Sequence, residues 1–400
     1  MPNYIHSRAT DQFLAFLTFL FVAAIYIMGT MTSGAIVLFG VTLLFLICSN
    51  FKLEFYYFHV FTFLFCLYCY ATSIWAYNYH TALRFSNSIF ATLVCLSVMY
   101  CHFRRFRDVT LLMKIIMWVG YLVVIYSYLY YGIDKVTSMG SEGGRLRNSF
   151  NNVNTLSMLA ATVVIINMFF YLFRKATWSL LFLIPAVIFV LSTQSRKGIF
   201  VLVVGVFLLY FMNYLRSKSK NLMPFFKFFG IGFLLLLVML ALSSSSAFEG
   251  LMERMMGLVS WITGEGEIDA STQARIDLRN IGLEQFKKTP WFGIGMGCSN
   301  YLVSQEMGTN AYMHDNYADL ATNGGVFGIV LYYSIYLFLL FQERKYYKVD
   351  DMANLIIILL LLQFFTDTGA VSYIAKMTYF QFMVYFLHLE SCKLKYPQIK

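Results

Sequence analysis

Long, unbroken apolar runs dominate the chain, separated by short polar stretches. A bilayer core of about 30 Å needs roughly 20 apolar residues per helix. Candidate spans on that scale lie at 13–29, 34–48, 55–75, 85–101, 111–131, 155–173, 178–192, 198–214, 225–242, 324–341, 354–366 and 371–388. The runs are continuous and do not alternate, so they read as helices and not as strands of an outer-membrane barrel. The expected fold is all-α: a polytopic integral membrane protein of about 12 transmembrane helices. Residues 1–400 form a single membrane domain in this reading, with spans over about 13–242 and 324–388. Residues 243–323 form a large, partly helical extracytoplasmic loop. No small-residue cleavage site follows the first span, which is therefore read as a retained helix.

Composition strengthens the membrane reading. Apolar residues make up 59% of the chain, aromatics 19% and charged residues 12%, with a mean hydropathy of +0.66. A soluble chain is roughly one quarter charged. Soluble, disordered, disulfide-stapled and collagen-like classes are thereby excluded. The net charge of +10 marks cytoplasmic loops, not nucleic-acid binding. With the N-terminus inside, more than half of the 30 Lys and Arg residues fall on the cytoplasmic side, and every cytoplasmic loop carries at least one. Both termini are then cytoplasmic. Cys66-x-x-Cys69 sits within a lipid-length run with no second pair, which favours core packing over metal or redox work.

The two longer segments, 132–154 and 243–323, lie outside in this topology. Long loops in compact proteins carry function more often than short ones. Leu251, Met252, Met255, Met256, Val259 and Trp261 recur at helical spacing and suit an interfacial helix. A charged helix is predicted from about Thr272 to Lys288, stopped by Pro290 and Gly293. Gly293-Ile-Gly-Met-Gly297 lacks both a preceding strand and a Walker lysine, so it reads as a tight turn between two loop helices.

Few polar groups face outward, and each has a bland reading beside the chemical one. Arg196 and Lys197 open an apolar helix against the positive-inside bias: snorkelling anchors, or an anion site. Arg145 and Arg147 lie in a glycine- and asparagine-rich stretch that is either an ordinary polar loop or a binding segment. Arg275 and Arg279 share one face of the predicted helix. That face is either solvated or suited to bidentate phosphate binding. His314, in Met313-His-Asp-Asn-Tyr317, is a loop residue or a proton acceptor. No His/Cys/Asp/Glu cluster has metal-ligand spacing.

At these residues the chain resembles the O-antigen ligase/polymerase superfamily of surface-polysaccharide enzymes. Gln194-Ser-Arg-Lys-Gly198 is similar to that family's Ser-Arg-Gly segment. Arg275-Ile-Asp-Leu, then Phe286, Pro290 and Gly293-Ile-Gly295, resembles its arginine, amphipathic helix and Pro-x-x-Gly-x-Gly turn. His314-Asp-Asn-Tyr, followed by Asn323-Gly-Gly-Val-Phe-Gly328, resembles its His-x-Asn-Tyr segment before Gly-x-x-Gly. Asn148 to Asn154 is similar to its Asn-rich stretch. Arg279 departs from the pattern where an aromatic residue is common, Lys197 adds a second charge, and Asp315 follows the histidine where Asn or Ser is common.

The resemblance implies glycosyl transfer outside the cytoplasm of a bacterial plasma membrane. The donor is a glycan on undecaprenyl pyrophosphate, the acceptor is a sugar hydroxyl, and no cofactor or metal is required. His314, Arg275 and Arg196 are the implied catalytic residues. Arg145, Arg147, Lys197, Arg279, Asn316 and Tyr317 are the implied contacts to pyrophosphate or glycan. Membrane lipids, a flippase and a chain-length regulator are the candidate partners. A polymerase of O-antigen, capsule or exopolysaccharide repeats is favoured. The rival readings are a ligase that moves glycan onto lipid A–core and a twelve-span transporter or lipid-linked oligosaccharide flippase. Paired, Gly/Pro-interrupted spans would mark the transporter, and none is evident.

Overall fold

The computed structural model describes residues 8–28, 33–49, 54–137, 152–216, 223, 226, 230, 270–308 and 311–399. The regular structure among them is all helical, in the order α1 (Arg8–Met28), α2 (Ser33–Cys48), α3 (Tyr57–Thr72), α4 (Tyr79–Phe103), α5 (Thr110–Tyr131), α6 (Ile133–Thr137), α7 (Val153–Arg174), α8 (Leu183–Ser192), α9 (Arg196–Arg216), α10 (Ala270–Lys288), α11 (Ser299–Met307), α12 (Asn316–Glu343), α13 (Asp351–Thr366) and α14 (Lys376–Lys395). Six of them, α1, α4, α5, α7, α9 and α12, are long and apolar enough to cross a membrane. Shorter apolar helices are α2, α3, α8 and α13. Of the expected span 225–242 only residues 226 and 230 are described, and residues 243–269 of the expected outer loop, with the interfacial stretch 251–261, lie outside the described residues. Span seven is not one smooth helix: a 3₁₀ turn over Trp178–Phe182 precedes α8, which carries Pro185 near its start, where a missing N–H is tolerated.

The described residues group into two compact units. The first comprises Met1–Ile115, Ala270–Lys345 and Asp367–Lys400, and the second Ile116–Asp269 and Tyr346–Thr366.

In the first unit, α3, α4, α12 and α14 pack around aromatic side chains. Phe58 stacks on Tyr100 at 5.1 Å and meets Phe386 edge-on. Tyr332 and Tyr336 meet Phe382 in the same way. Segments expected on the cytoplasmic side meet one another. Arg104, ending α4, pairs with Glu390 at 2.7 Å and Glu54 at 3.4 Å. Arg105 lies 3.5 Å from Asp11, and buried His388 lies 3.0 Å from Glu343. Segments expected outside likewise meet one another: the α3–α4 turn, the stretch from α10 to the start of α12, and the 367–375 loop.

The second unit is built on close helix approaches at glycines, as lipid-embedded bundles favour. Gly120 of α5 leaves no room beside Val163 of α7. Gly205 of α9 sits against Ile165 of α7, with Leu362 of α13 at 3.0 Å from where a Cβ would be. Asn167, fully buried in α7, accepts from Ser179 Oγ at 2.6 Å and donates to the Ser179 carbonyl at 2.8 Å and to Tyr121. A buried amide costs free energy unless it is bonded in this way. All seven cysteines are free, and Cys66 and Cys69 are both buried in the core, in keeping with the packing role expected for them.

Candidate active site

The stretch from α10 to α12 is organised by two glycine-bearing motifs that seat on one another. The predicted turn between two loop helices is present: α10 ends at Lys288, α11 begins at Ser299, and Gly293, Gly295 and Gly297 all have positive φ (67°, 100° and 76°). Gly293 fits because a Cβ there would lie 2.5 Å from the Asn323 carbonyl. Gly325 is the reciprocal case. It breaks α12 with φ 62° and ψ −164°, and a Cβ there would strike the Trp291 backbone. Four main-chain hydrogen bonds close the joint. Ile294 N–H donates to the Thr322 carbonyl at 3.0 Å and Gly295 N–H to that of Asn323 at 3.0 Å. Val326 N–H donates to the Pro290 carbonyl at 2.8 Å and Phe327 N–H to that of Trp291 at 3.2 Å. Two family-like segments thus serve one purpose: each supplies the glycine that lets the other's backbone approach.

His314 lies immediately before the first turn of α12. It is half-buried, its ring is 3.8 Å from that of Tyr312, and its φ of +56° is left-handed. Histidine visits this region more often than most residues, yet such a conformation persists only where its surroundings over-determine it. Those surroundings are visible. Asp315 is the N-cap of α12 and accepts from Ala318 N–H at 3.0 Å, so its carboxylate is committed to the helix. Asn316 is fully buried. Its N–H donates to the Asp367 carbonyl at 2.7 Å, and its Nδ2 donates to Tyr333 at 2.8 Å and Asp367 Oδ2 at 3.2 Å. Its Oδ1 accepts from the N–H groups of Ser372 at 2.7 Å and Tyr373 at 3.1 Å. An amide has two donors and two acceptor lone pairs, and all four are used within the protein. Asn316 thus holds the start of α12 against Tyr333 and the 367–375 loop. Tyr317 is half-buried and stacks on Tyr333 at 5.1 Å.

One turn on, buried Asp319 accepts from Tyr373 at 2.6 Å, Ser299 Oγ at 2.9 Å and Asn323 Nδ2 at 2.8 Å. Asn323 Oδ1 accepts from Ser299 N–H at 2.7 Å. This web ties α11, α12 and the 367–375 loop together beneath His314. Asp319, Asp367, Tyr333 and Tyr373 escaped the sequence reading. The available signal was an isolated carboxylate at each end of an apolar run, which a membrane segment keeps only for a reason.

Arg275 and Arg279 lie on α10, on the helix expected for them. Arg275 is half-buried and Arg279 exposed. Arg275, Leu278, Gly282 and Gln285 follow one stripe, and the last three are buried. At Gly282 a Cβ would lie 2.6 Å from Met313 Sδ and 2.7 Å from Thr322 Oγ1. Arg275 thus projects from the packed face two turns, roughly 10 Å, above the point where the residue before His314 is seated. The α10–α11 segment shares a core of Ala82, Leu278, Ile294, Cys298, Leu302, Val303, Met313 and Ala318, which fixes the loop as a folded element.

Arg196 and Lys197 belong to the second unit and open α9, both half-buried. Local geometry explains their segment. Ser195 Oγ accepts from Gly198 N–H at 3.3 Å, capping the helix. Gly198 lies where a Cβ would strike Ser157 of α7. Thr193 donates to Ser157 Oγ at 2.8 Å, and Gln194 turns the chain with φ +50°. Serine and glycine dock the helix end, leaving the cations in its first turn, where backbone N–H groups favour anions. Arg145 and Arg147 lie outside the described residues. So do Asn148 to Asn151, whereas Asn152 caps α7 by accepting from Asn154 N–H at 2.9 Å.

Fold and site together define a polytopic helical membrane protein with a folded polar loop segment that displays cations and a strained histidine. Residues 180–333 match the family model described as O-antigen ligase, a stretch that takes in the 194–198, 275–295 and 314–328 segments. Over that stretch, which is less than half of the 400 residues, the chain is similar to the O-antigen ligase family. No curated protein matches the chain.

Proposed function

We propose that the protein is a polymerase of lipid-linked polysaccharide repeats at the outer face of a bacterial plasma membrane. The donor is a glycan on undecaprenyl pyrophosphate, and the acceptor is a hydroxyl of a second repeat. His314 takes the hydroxyl proton as that oxygen attacks the anomeric carbon. The bond from this carbon to the pyrophosphate breaks, and the bonding pair leaves with undecaprenyl pyrophosphate. Arg275, and in its own unit Arg196 with Lys197, bind phosphate oxygens as the leaving charge develops; Arg145, Arg147 and Arg279 assist. The reaction needs no metal in this scheme.

The observation that supports the reading is the seating of His314: a titratable side chain held in a left-handed conformation by a saturated buried network. A ligase that delivers glycan to lipid A–core is the second reading, favoured by the description of the matching family. Reconstitution in liposomes with an undecaprenyl-pyrophosphate repeat and EDTA separates the two. A ladder of lengthening products supports the polymerase. Transfer to added lipid A–core without a ladder replaces it with the ligase, and a metal requirement overturns the metal-free step.

A further inference from the structure

The loop turn that seats on α12 carries a cluster of exposed aromatic side chains that the chemistry above does not use. Trp291 is 61% exposed and Phe292 51%. Phe292 stacks face to face on Phe327 of α12, with centroids 5.1 Å apart and planes within 4°. Trp291 also meets Phe327, at 6.4 Å, and Trp75 meets Phe292 edge-on at 5.7 Å. A soluble loop does not leave such a cluster bare.

Two observations name what covers it. First, the cluster continues the uncovered faces of two helices. Along α12, Phe327, Val330, Leu337 and Phe341 are exposed at the three-and-four spacing of one helix face. Along α3, Tyr57, Val60, Leu64 and Leu67 repeat the pattern, and Ile74 is exposed just past the helix end. α12 is long and apolar enough to span, so its uncovered stripe is a lipid face, and the turn lies on the end of that stripe. Second, Lys287 and Lys288 are both exposed at the end of α10, just before Trp291. Basic residues flanking exposed aromatics suit the headgroup zone of an anionic bilayer, with rings below and ammonium groups at phosphate level.

We infer that Trp291 and Phe292 form a membrane-dipping tip, inserted into the outer leaflet and held there by the phospholipid bilayer itself. The tip is not a span. It fixes the depth of the loop that carries His314, because the same turn is bonded through Ile294 and Gly295 to Thr322 and Asn323. On the proposed reading of the function, this holds the reacting groups level with the pyrophosphate of a membrane-anchored donor. The anchor itself does not depend on that reading.

The test uses intact protein in phosphatidylcholine–phosphatidylglycerol vesicles free of prenyl lipids. The tryptophan emission of Trp291→Phe is subtracted from that of wild type, isolating the Trp291 component in a variant that keeps an aromatic anchor. That component should lose more intensity to a nitroxide high on the acyl chain than to one near the chain's methyl end, and little to aqueous iodide. Strong quenching by iodide with none by either nitroxide lipid overturns the inference, as does strongest quenching at the bilayer centre. Neither measurement needs substrate, so an inactive or differently acting protein leaves the result readable.

Discussion

Replacing Gly325 by alanine tests whether the joint between the two glycine motifs holds the loop in place. Its backbone, at φ 62° and ψ −164°, belongs to a region open essentially to glycine, at a cost of about 1–3 kcal/mol for other residues. The new Cβ would also strike the Trp291 backbone and lie 2.6 Å from Phe292 N. Main chain cannot swing aside, so the joint must open. The hydrogen bonds from Val326 and Phe327 to Pro290 and Trp291 are then lost or stretched, at about 0.5–1.5 kcal/mol each. The sum is roughly 2–6 kcal/mol. Gly328→Ala is the control three residues away. Its Cβ meets Met296 Cε at 3.4 Å, an ordinary contact, and alanine gains up to about 1 kcal/mol of helix propensity. Thermal unfolding of both variants in one detergent should place Gly325→Ala roughly 4 °C or more below Gly328→Ala. If the two melt together, the joint does not hold the loop.

Three further outcomes follow from the site. His314→Asn keeps a residue that tolerates the left-handed conformation while removing the base, so it should insert and melt like wild type yet lose transfer; retained transfer would remove His314 from the chemistry. Arg275→Lys keeps the charge but not the bidentate fork, and transfer by the reconstituted protein should fall about tenfold or more, the loss of one charge-assisted hydrogen bond of about 1.5–3 kcal/mol; unchanged rates would make Arg275 a solvated surface group. Burial pushes the Cys298 thiol above its usual pKa, which depletes the reactive thiolate at neutral pH. Maleimide should therefore modify Cys298 only after denaturation, and rapid native labelling would show that the α10–α11 segment opens.

The architecture was legible where hydropathy decides it. α1, α5 and α7 begin and end within a few residues of the apolar runs that predicted them, because lipid rewards length and apolarity directly. Prediction failed where polar residues are helical. Span ten was expected from Gly324, and the helix does restart there after the break at Gly325; what was missed is the helical stretch before it, from Asn316, because Asn316, Asp319 and Asn323 look like loop residues until their buried partners are known. Those partners, Asp367, Ser372 and Tyr373, lie some fifty residues downstream, a separation at which no periodicity operates. The Ser-Arg-Gly and Pro-x-x-Gly-x-Gly segments were visible as patterns. Why they need serine and glycine was not, since the reasons are a cap on α9, the approach of Ser157, and the carbonyl of Asn323. Arg275 and Arg279 were placed correctly on one helix, but only the packing of Leu278 and Gly282 distinguishes the half-buried cation from the exposed one.

The bonds from Ile294 and Gly295 to Thr322 and Asn323 make residues 296–321 a ring closed at its base. The entropy of such a closure grows only logarithmically, so doubling the ring costs about 0.6 kcal/mol. Gly308 offers the natural splice: φ is +65° and nothing lies within 4 Å of where a Cβ would be. Length is therefore the cheap variable here and geometry the expensive one. A lineage can enlarge or trim this ring, and so alter the surface presented beside His314, without rebuilding the seat on which it stands. Length polymorphism is expected after Met307, and none within Pro290–Gly295 or Asn323–Gly325.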